Sequence, residues 1–449
     1  MPDLTDLCER AVAGARGDEE VEAYASAGQR TQVRVRGGEV ESLTFSDARG
    51  IGVRLISGNR VGYAYAADPD EGAVDELVGS ARESARFAEP DEANALPTLD
   101  PVDPLPDPGI YRAAQTEMET SRKVALAQEL ERVSVSVLPE VRKVESATYG
   151  DSMIWVVIGS SKGPARAYPR TDTWVSVTAL AERDGETQTG SSLVLAREAN
   201  ELDWEATARE AAGRAARLLG GTKPRSERTA VILDPVVAAS FVGVLAGALS
   251  AESVLKGRSL LAQRVGQAVA AGPVTLVDDG RFLEGPAVAP FDDEGVPTER
   301  TSLIERGILR GFLHDTYTAK KAGERSTGNA GRAGYRSVPG VAPSNLYLVP
   351  GDASPEDVLA RAGGGVYVQE VTGLHSGANP ISGEFSVGAT GLRVEGGQLS
   401  APLREMTIAS TLLDMLRSVV EVADDLRFPM GSGLGAPTVL VSEMTVGGA

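Results

Sequence analysis

The chain has 449 residues, enough for two or more domains with hydrophobic cores of their own, and 42% of them are hydrophobic, which is ordinary for a globular protein. A formal net charge of -19 argues against nucleic acid, whose phosphates demand a basic face, and against anionic membranes. One cysteine, Cys8, and two histidines, His314 and His375, exclude an intrachain disulfide, a cysteine-rich zinc site and the two-histidine helix of an H-E-x-x-H peptidase.

The start, MPDLTDLCERAV, lacks the basic residues and apolar run of a secretion signal. No stretch approaches the roughly 18 uninterrupted apolar residues of a membrane span. With so little cysteine, the cytoplasm is the expected compartment. Leu4, Leu7, Cys8, Ala11, Val12 and Ala15 fall on one helical stripe, so Cys8 reads as a small buried hydrophobe. Short strands follow at 21–27, 31–36, 39–47, 50–56 and 60–66, with Gly37-Gly38 and Ser57-Gly58-Asn59 as turns. The spacing of Val74, Leu77, Val78, Ala81 and Ala85 predicts a helix over 71–88.

Five prolines between Pro97 and Pro108 forbid a helix or central strand there, leaving an ordered crossing segment or linker. A long helix is expected from Gln115 to Ser136. Strands at 141–148, 153–158, 165–180 and 186–195 are separated by Gly150-Asp151, Ser161-Lys162-Gly163 and Asp184-Gly185. A helix follows from Trp204 to Leu219, N-capped by Asp203 and stopped by Gly220-Gly221. Beyond it the chain is Gly-rich and dense in β signals, with helices at 236–249, 355–362 and 408–422 and a last strand at 438–446. Ser354-Pro355 marks a helix start. Strands that follow one another by tight turns predict α+β: an N-terminal α/β meander domain, 1–220, and a C-terminal domain, 221–449, dominated by antiparallel sheet with a few helices.

Gly159-Ser160-Ser161-Lys162-Gly163 matches the nucleophile-elbow pattern, but Pro164 and a strand follow where a helix is required, so it reads as a hairpin turn. No phosphate-binding glycine motif occurs, and Pro437 makes MGSGLGAP a loop. His375, flanked by Glu370 and Glu384, and His314, beside Asp315, could build a metal site only from distant segments; scattered histidines and acids read more simply as hydrogen-bonded loop residues. The segment from Val371 to Gly391 interleaves glycines with Ser376, Asn379, Ser382, Glu384 and Ser386, and backbone this bare could meet a peptide main chain or simply form turns. Ser326-Thr327-Gly328-Asn329-Ala330-Gly331 has the same character.

DDEGVPTERTSLIERGILRGFLHDTYTAKKAG at 292–323, STGNAG at 326–331, LHSGANPISGEFSVGATGLRVEGG at 374–397 and the closing REMTIASTLLDMLRSVVEVADDL resemble the TldD/PmbA peptidase family, strongly over about 225–449. In that family the TldD type carries H-E-x-x-x-H on a helix and a cysteine ligand near the C-terminus. The corresponding helix here, DPVVAASFVGVLAGAL, has neither histidine nor glutamate, and FPMGSGLGAPTVL has no cysteine. The chain is therefore similar to the PmbA or TldE type. The resemblance implies no metal or catalytic residue in this chain, a heterodimer with a zinc-bearing TldD-type subunit, and a chamber that admits short or unfolded peptides or trims precursors of modified peptides. His375, Ser376, Gly377, Asn379, Ser382, Gly383 and Glu384 are the expected substrate-facing residues, with His314 and Asn329 beside them. The rival readings are a self-sufficient metal hydrolase built around His375 and a peptide-binding or assembly protein without a protease partner.

Overall fold

The computed structural model describes residues 3–100, 107–379 and 381–448. The centre of the proline-rich crossing, 101–106, lies outside the described residues, as do Met1, Pro2 and Pro380.

Helix α1 (Leu4–Ala13) buries Leu4, Leu7, Cys8 and Ala11, the stripe their spacing predicts. Strands β1 (Glu20–Arg36), β2 (Glu39–Ser57) and β3 (Arg60–Ala67) follow, and helix α2 (Glu71–Phe87) closes the unit. A second unit repeats the plan with α3 (Ala113–Thr116), α4 (Thr120–Ser134), β4 (Val141–Ser160), β5 (Gly163–Arg183), β6 (Glu186–Ala196) and α5 (Trp204–Ala216). All six strands form one antiparallel sheet in the order β3-β2-β1-β4-β5-β6, with the two units joined at β1 and β4. Both outer strands carry a glycine where the closing helix seats on them. A Cβ on Gly62 would collide with the α2 backbone at Ala81, and one on Gly190 with the α5 backbone at Ala215.

The strands are longer than their sequence punctuation suggests. Gly150-Asp151 is not a turn but lies inside β4. A Cβ on Gly150 would collide with the Trp174 indole, so the glycine admits a ring rather than a bend. Asp151 is buried, 2.7 Å from Lys123 and 3.0 Å from the Tyr149 hydroxyl. The helix expected from Gln115 to Ser136 is broken after Thr116, because Gln115 is drawn into that cluster. Its Nε2 donates to Tyr149 Oη (2.9 Å) and to Asp151 (3.1 Å), and its Oε1 accepts from the Ala199 N–H. One sheet face is covered by α1 and α2 over Val21, Ala23, Ile51 and Val53, and by α4 and α5 over Val33, Val35, Val175 and Val177. The other face sets Tyr24, Val156 and Ile158 against Phe291 of the second half.

The second half begins with β7 (Glu227–Leu233), α6 (Pro235–Leu249) and α7 (Ala251–Leu255). Strands β8 (Leu276–Asp279), β9 (Arg300–Glu305) and β10 (Ile308–Leu309) precede α8 (Thr316–Ala322), and β11 (Ala330–Gly331), β12 (Gly340–Val341) and β13 (Leu346–Leu348) follow it. Then come α9 (Pro355–Ala362), β14 (Gly364–Thr372), α10 (Leu374–Gly377), β15 (Glu384–Glu395), β16 (Gln398–Thr411), α11 (Leu412–Arg417), β17 (Val419–Val422), β18 (Leu434–Gly435) and β19 (Val439–Gly447). The order β16-β15-β14-β7-β19, with β19 returning to β16, closes a five-strand barrel. A second sheet runs β10-β9-β8-β13-β18. Helix α6 shares its core with both, through Val237, Phe241, Leu245 and Leu249. Asp234 caps it through the Val236 N–H, and Pro235 occupies its first position.

The protein is α+β, as the tight turns predict. Two strand pairs, β7 with β14 and β13 with β18, are parallel rather than antiparallel. The helix expected at 408–422 is instead strand, one short helix and strand. Ile408 and Met406 are buried on β16, which closes the barrel against β19, so pairing overrides helical spacing.

Candidate functional site

The segment 292–331 ties the two halves together. Arg54 of β2 donates to Glu22 (2.7 Å) and to Glu294 (2.9 Å), and Arg332 pairs with the other oxygen of Glu22. All four side chains are nearly inaccessible. Glu294 also accepts from the Thr316 N–H at the start of α8 (2.9 Å). Asp292 accepts from the N–H groups of Glu294, Val296 and Ala330, and Asp293 from that of Arg332. Burial would raise Glu22, but the Arg54 and Arg332 guanidiniums hold it below the usual carboxylate range. Burial, aided by repulsion from Glu294, pushes Asp292 well up, and burial lifts Asp293 to about 6.

His314 and Asn329 belong to this buried knot. Asn329 is 3% exposed; its Nδ2 donates to Asp278 (2.6 Å) and its Oδ1 accepts from Thr327 (2.7 Å). Ser344 supplies Asp278 with two more hydrogen bonds. His314 is 7% exposed, burial lowers its pKa, and its Nδ1 has no hydrogen-bond partner among the described residues. Its main chain is held by Thr327. The STGNAG signature therefore folds back onto His314, Asp278 and Asp292, bracing the segment.

The remaining expected residues come together on one loop between β14 and β15. His375 and Ser376 lie on α10 and are exposed, as are Asn379, Ser382 and Glu384; Gly377 is half-buried and Gly383 buried. Asn379 shapes the loop. Its Oδ1 accepts from the N–H groups of Ile381 and Ser382, and its own N–H donates to the Glu384 carbonyl (2.8 Å). Gly383 anchors the loop to the barrel by accepting from the Leu412 N–H (2.8 Å). The His375 imidazole has no hydrogen-bond partner among the described residues, and Ile381, on the same loop, is 56% exposed. The loop thus presents an imidazole, a carboxylate, hydroxyls and one apolar side chain at the barrel's end.

Helix α6 offers no ligand. Its only polar side chain, Ser240, donates to the Val236 carbonyl (2.8 Å). Among the described residues no group of three or more His, Cys, Asp or Glu has metal-holding geometry. A zinc site of the peptidase kind does not fit the donors present here. Cys8 is buried and its thiol is pushed up to about 12 by that burial, which removes it as a nucleophile.

A six-strand sheet with paired helices is joined in this chain through a buried ionic knot to a barrel and a second sheet that share helix α6. Residues 21–85, 114–219 and 226–448 match, in order, the first, central and C-terminal domains described for the PmbA/TldA metallopeptidases. The chain belongs to the PmbA/TldD family. It is 29% identical to Metalloprotease PmbA of Escherichia coli O157:H7, over 93% of this chain and 89% of that one. It is 25% identical to a Metalloprotease TldD homolog of Haemophilus influenzae, over 92% and 89%. The fold matches TldE from Thermococcus kodakarensis with a TM-score of 0.89 at 22% identity, covering 99% of each chain.

The ionic knot is a feature that motif reading missed. Its signal was a charge inside an otherwise apolar strand, Glu22 in VEAYA and Arg54 in IGVRLI, a placement that requires burial with a partner.

Proposed function

We propose that this chain is the metal-free, peptide-holding subunit of a cytoplasmic heterodimeric metallopeptidase, with 1–220 and 221–449 as its domains. The observation that carries the reading is the donor-free α6. Relatives are named metalloproteases, yet the helix that bears the metal motif in the TldD type is here wholly apolar but for Ser240. Hydrolysis then needs a companion that supplies the zinc and its activated water. This chain's part is to wall the chamber and hold the peptide, which the exposed 375–384 loop suits through backbone and side-chain hydrogen bonds.

The test is metal analysis together with cleavage of short unfolded peptides, run on this chain alone and after adding a TldD-type subunit. The expected result is no stoichiometric zinc and no turnover alone, with turnover appearing in the pair. Zinc retained by the isolated chain, with His375-dependent cleavage, would establish the self-sufficient hydrolase instead.

A further inference from the structure

A cavity of about 230 Å³ opens on the helix-covered face of the first sheet, at the seam between its two units. Thr31 of β1 and Asp151 and Met153 of β4 form its floor, on one face by register. Thr116 of α3 and Lys123 of α4 form a wall, and Phe45 of β2 forms the rim. The space far exceeds the ~10–15 Å³ that seats one water.

Two opposite charges meet in this cavity, and neither is saturated. The side chains of Lys123 and Asp151 are 11% and 9% exposed and lie 2.7 Å apart. Lys123, Gln115 and Tyr149 all donate to the same oxygen of Asp151, Oδ2. The other oxygen, Oδ1, accepts from no described residue, although polar atoms of so buried a side chain are ordinarily paired. The Lys123 ammonium has three protons. Asp151 and Thr31 (3.0 Å) take two of them, and no described residue takes the third. Helix α4 starts at Thr120 on the same wall, with no side-chain cap, so its first N–H groups have no partner within the helix. An acceptor and several donors therefore lie side by side, around a pair with no net charge. A ligand that matches both is a zwitterion: its ammonium meets Asp151 Oδ1, and its carboxylate meets Lys123 and the start of α4. A ligand with one charge only would be repelled by one member of the pair. Met153 and Phe45 offer apolar surface to the rest of the molecule.

We propose that this cavity binds a free α-amino acid with an apolar side chain, its ammonium on Asp151, its carboxylate on Lys123 and its side chain against Met153 and Phe45. The ligand bridges β1 and β2 of the first unit to α4 and β4 of the second. On the peptidase reading such a ligand is an end product, so the site would sense product; the binding itself does not depend on that reading.

The test titrates the full chain with L-leucine, leucinamide, N-acetyl-leucine and glycine, read by calorimetry and by methionine-methyl NMR, with the Met153 signal assigned through M153L. Leucine binds and moves the Met153 signal. Leucinamide lacks the carboxylate, N-acetyl-leucine the ammonium and glycine the apolar side chain, and each binds at least about tenfold more weakly. D151N weakens leucine to a similar degree. T116F, a bulky ring at an exposed position of the wall, blocks it and serves if D151N fails to fold, which thermal melting decides. Leucinamide or N-acetyl-leucine binding as tightly as leucine, a Met153 signal that stays still, or undiminished binding by T116F would overturn the proposal. So would the absence of any heat or shift with leucine, since the cavity would then hold solvent only. None of these readouts needs a metal partner, so failure here is separable from failure of the peptidase reading, which is judged by turnover in the pair.

Discussion

The knot at 292–332 and the loop at 373–384 use similar residues for opposite ends. Each is built of glycines, hydroxyls, carboxylates and one histidine. In the knot, Asp292, Glu294 and Asn329 are buried, and each has its polar atoms committed to backbone or side-chain partners. In the loop the backbone is satisfied by Asn379 while His375, Ser382 and Glu384 face outward. Polar groups sealed from water are costly to leave unpaired, so the pairing of Asp292, Glu294 and Asn329 holds shape, although His314 Nδ1 in the same knot has no partner among the described residues. Polar groups left in water cost little to keep, so they are free to meet a ligand.

Mutations of decreasing severity sharpen that contrast. Removing Arg54 as R54M leaves the buried carboxylates of Glu22 and Glu294 without their shared cation, and should cost about 3–5 kcal/mol in denaturant unfolding. A loss below about 1 kcal/mol would mean that the knot is solvated and the contrast false.

The pH response of Asp293 is the next largest effect. Its folded pKa, about 6, lies above the ordinary carboxylate value. A raised folded pKa contributes stability that is fully present below the unfolded pKa and is lost as pH rises through the folded one. Wild type should therefore lose about 3 kcal/mol relative to D293N between pH 4 and pH 7, an upper bound read from melting curves across that window. Parallel pH profiles for the two proteins would show that Asp293 is not the source.

N329A removes one of the three hydrogen bonds to buried Asp278, which burial already raises, and should cost about 1–3 kcal/mol in the same unfolding assay. The smallest effect belongs to the loop. H375A and E384Q should change stability by less than about 0.5 kcal/mol, while peptide turnover by the reconstituted pair falls. Equal damage to stability from H375A and N329A would erase the distinction between brace and binding surface.

Much of the fold was readable from local pattern. The stripe of Leu4, Leu7, Cys8 and Ala11, the Asp203 cap, the Ser354-Pro355 helix start and the Gly37-Gly38 turn each report on a few neighbouring residues. The residues from His375 to Glu384 could be grouped from the sequence because they are contiguous, and they do share one loop. His314 and Asn329 were grouped with it by residue type, yet they are braced by Asp278, Thr327 and Ser344, partners that no spacing rule selects.

Sequence alone determined the composition limits: two histidines 61 residues apart, which cannot share the helix of an H-E-x-x-H motif, a single cysteine, enough apolar residues for two cores, and strands joined by tight turns. Only the tertiary structure decided that Gly150 seats an indole instead of turning the chain, that 408–422 closes a barrel instead of coiling, and that Glu22 and Arg54 meet Glu294 and Arg332. The division has one physical cause. Caps, turns and stripes are settled within about one turn or hairpin, whereas buried charge pairs, barrel closure and backbone close approach are settled by partners far along the chain.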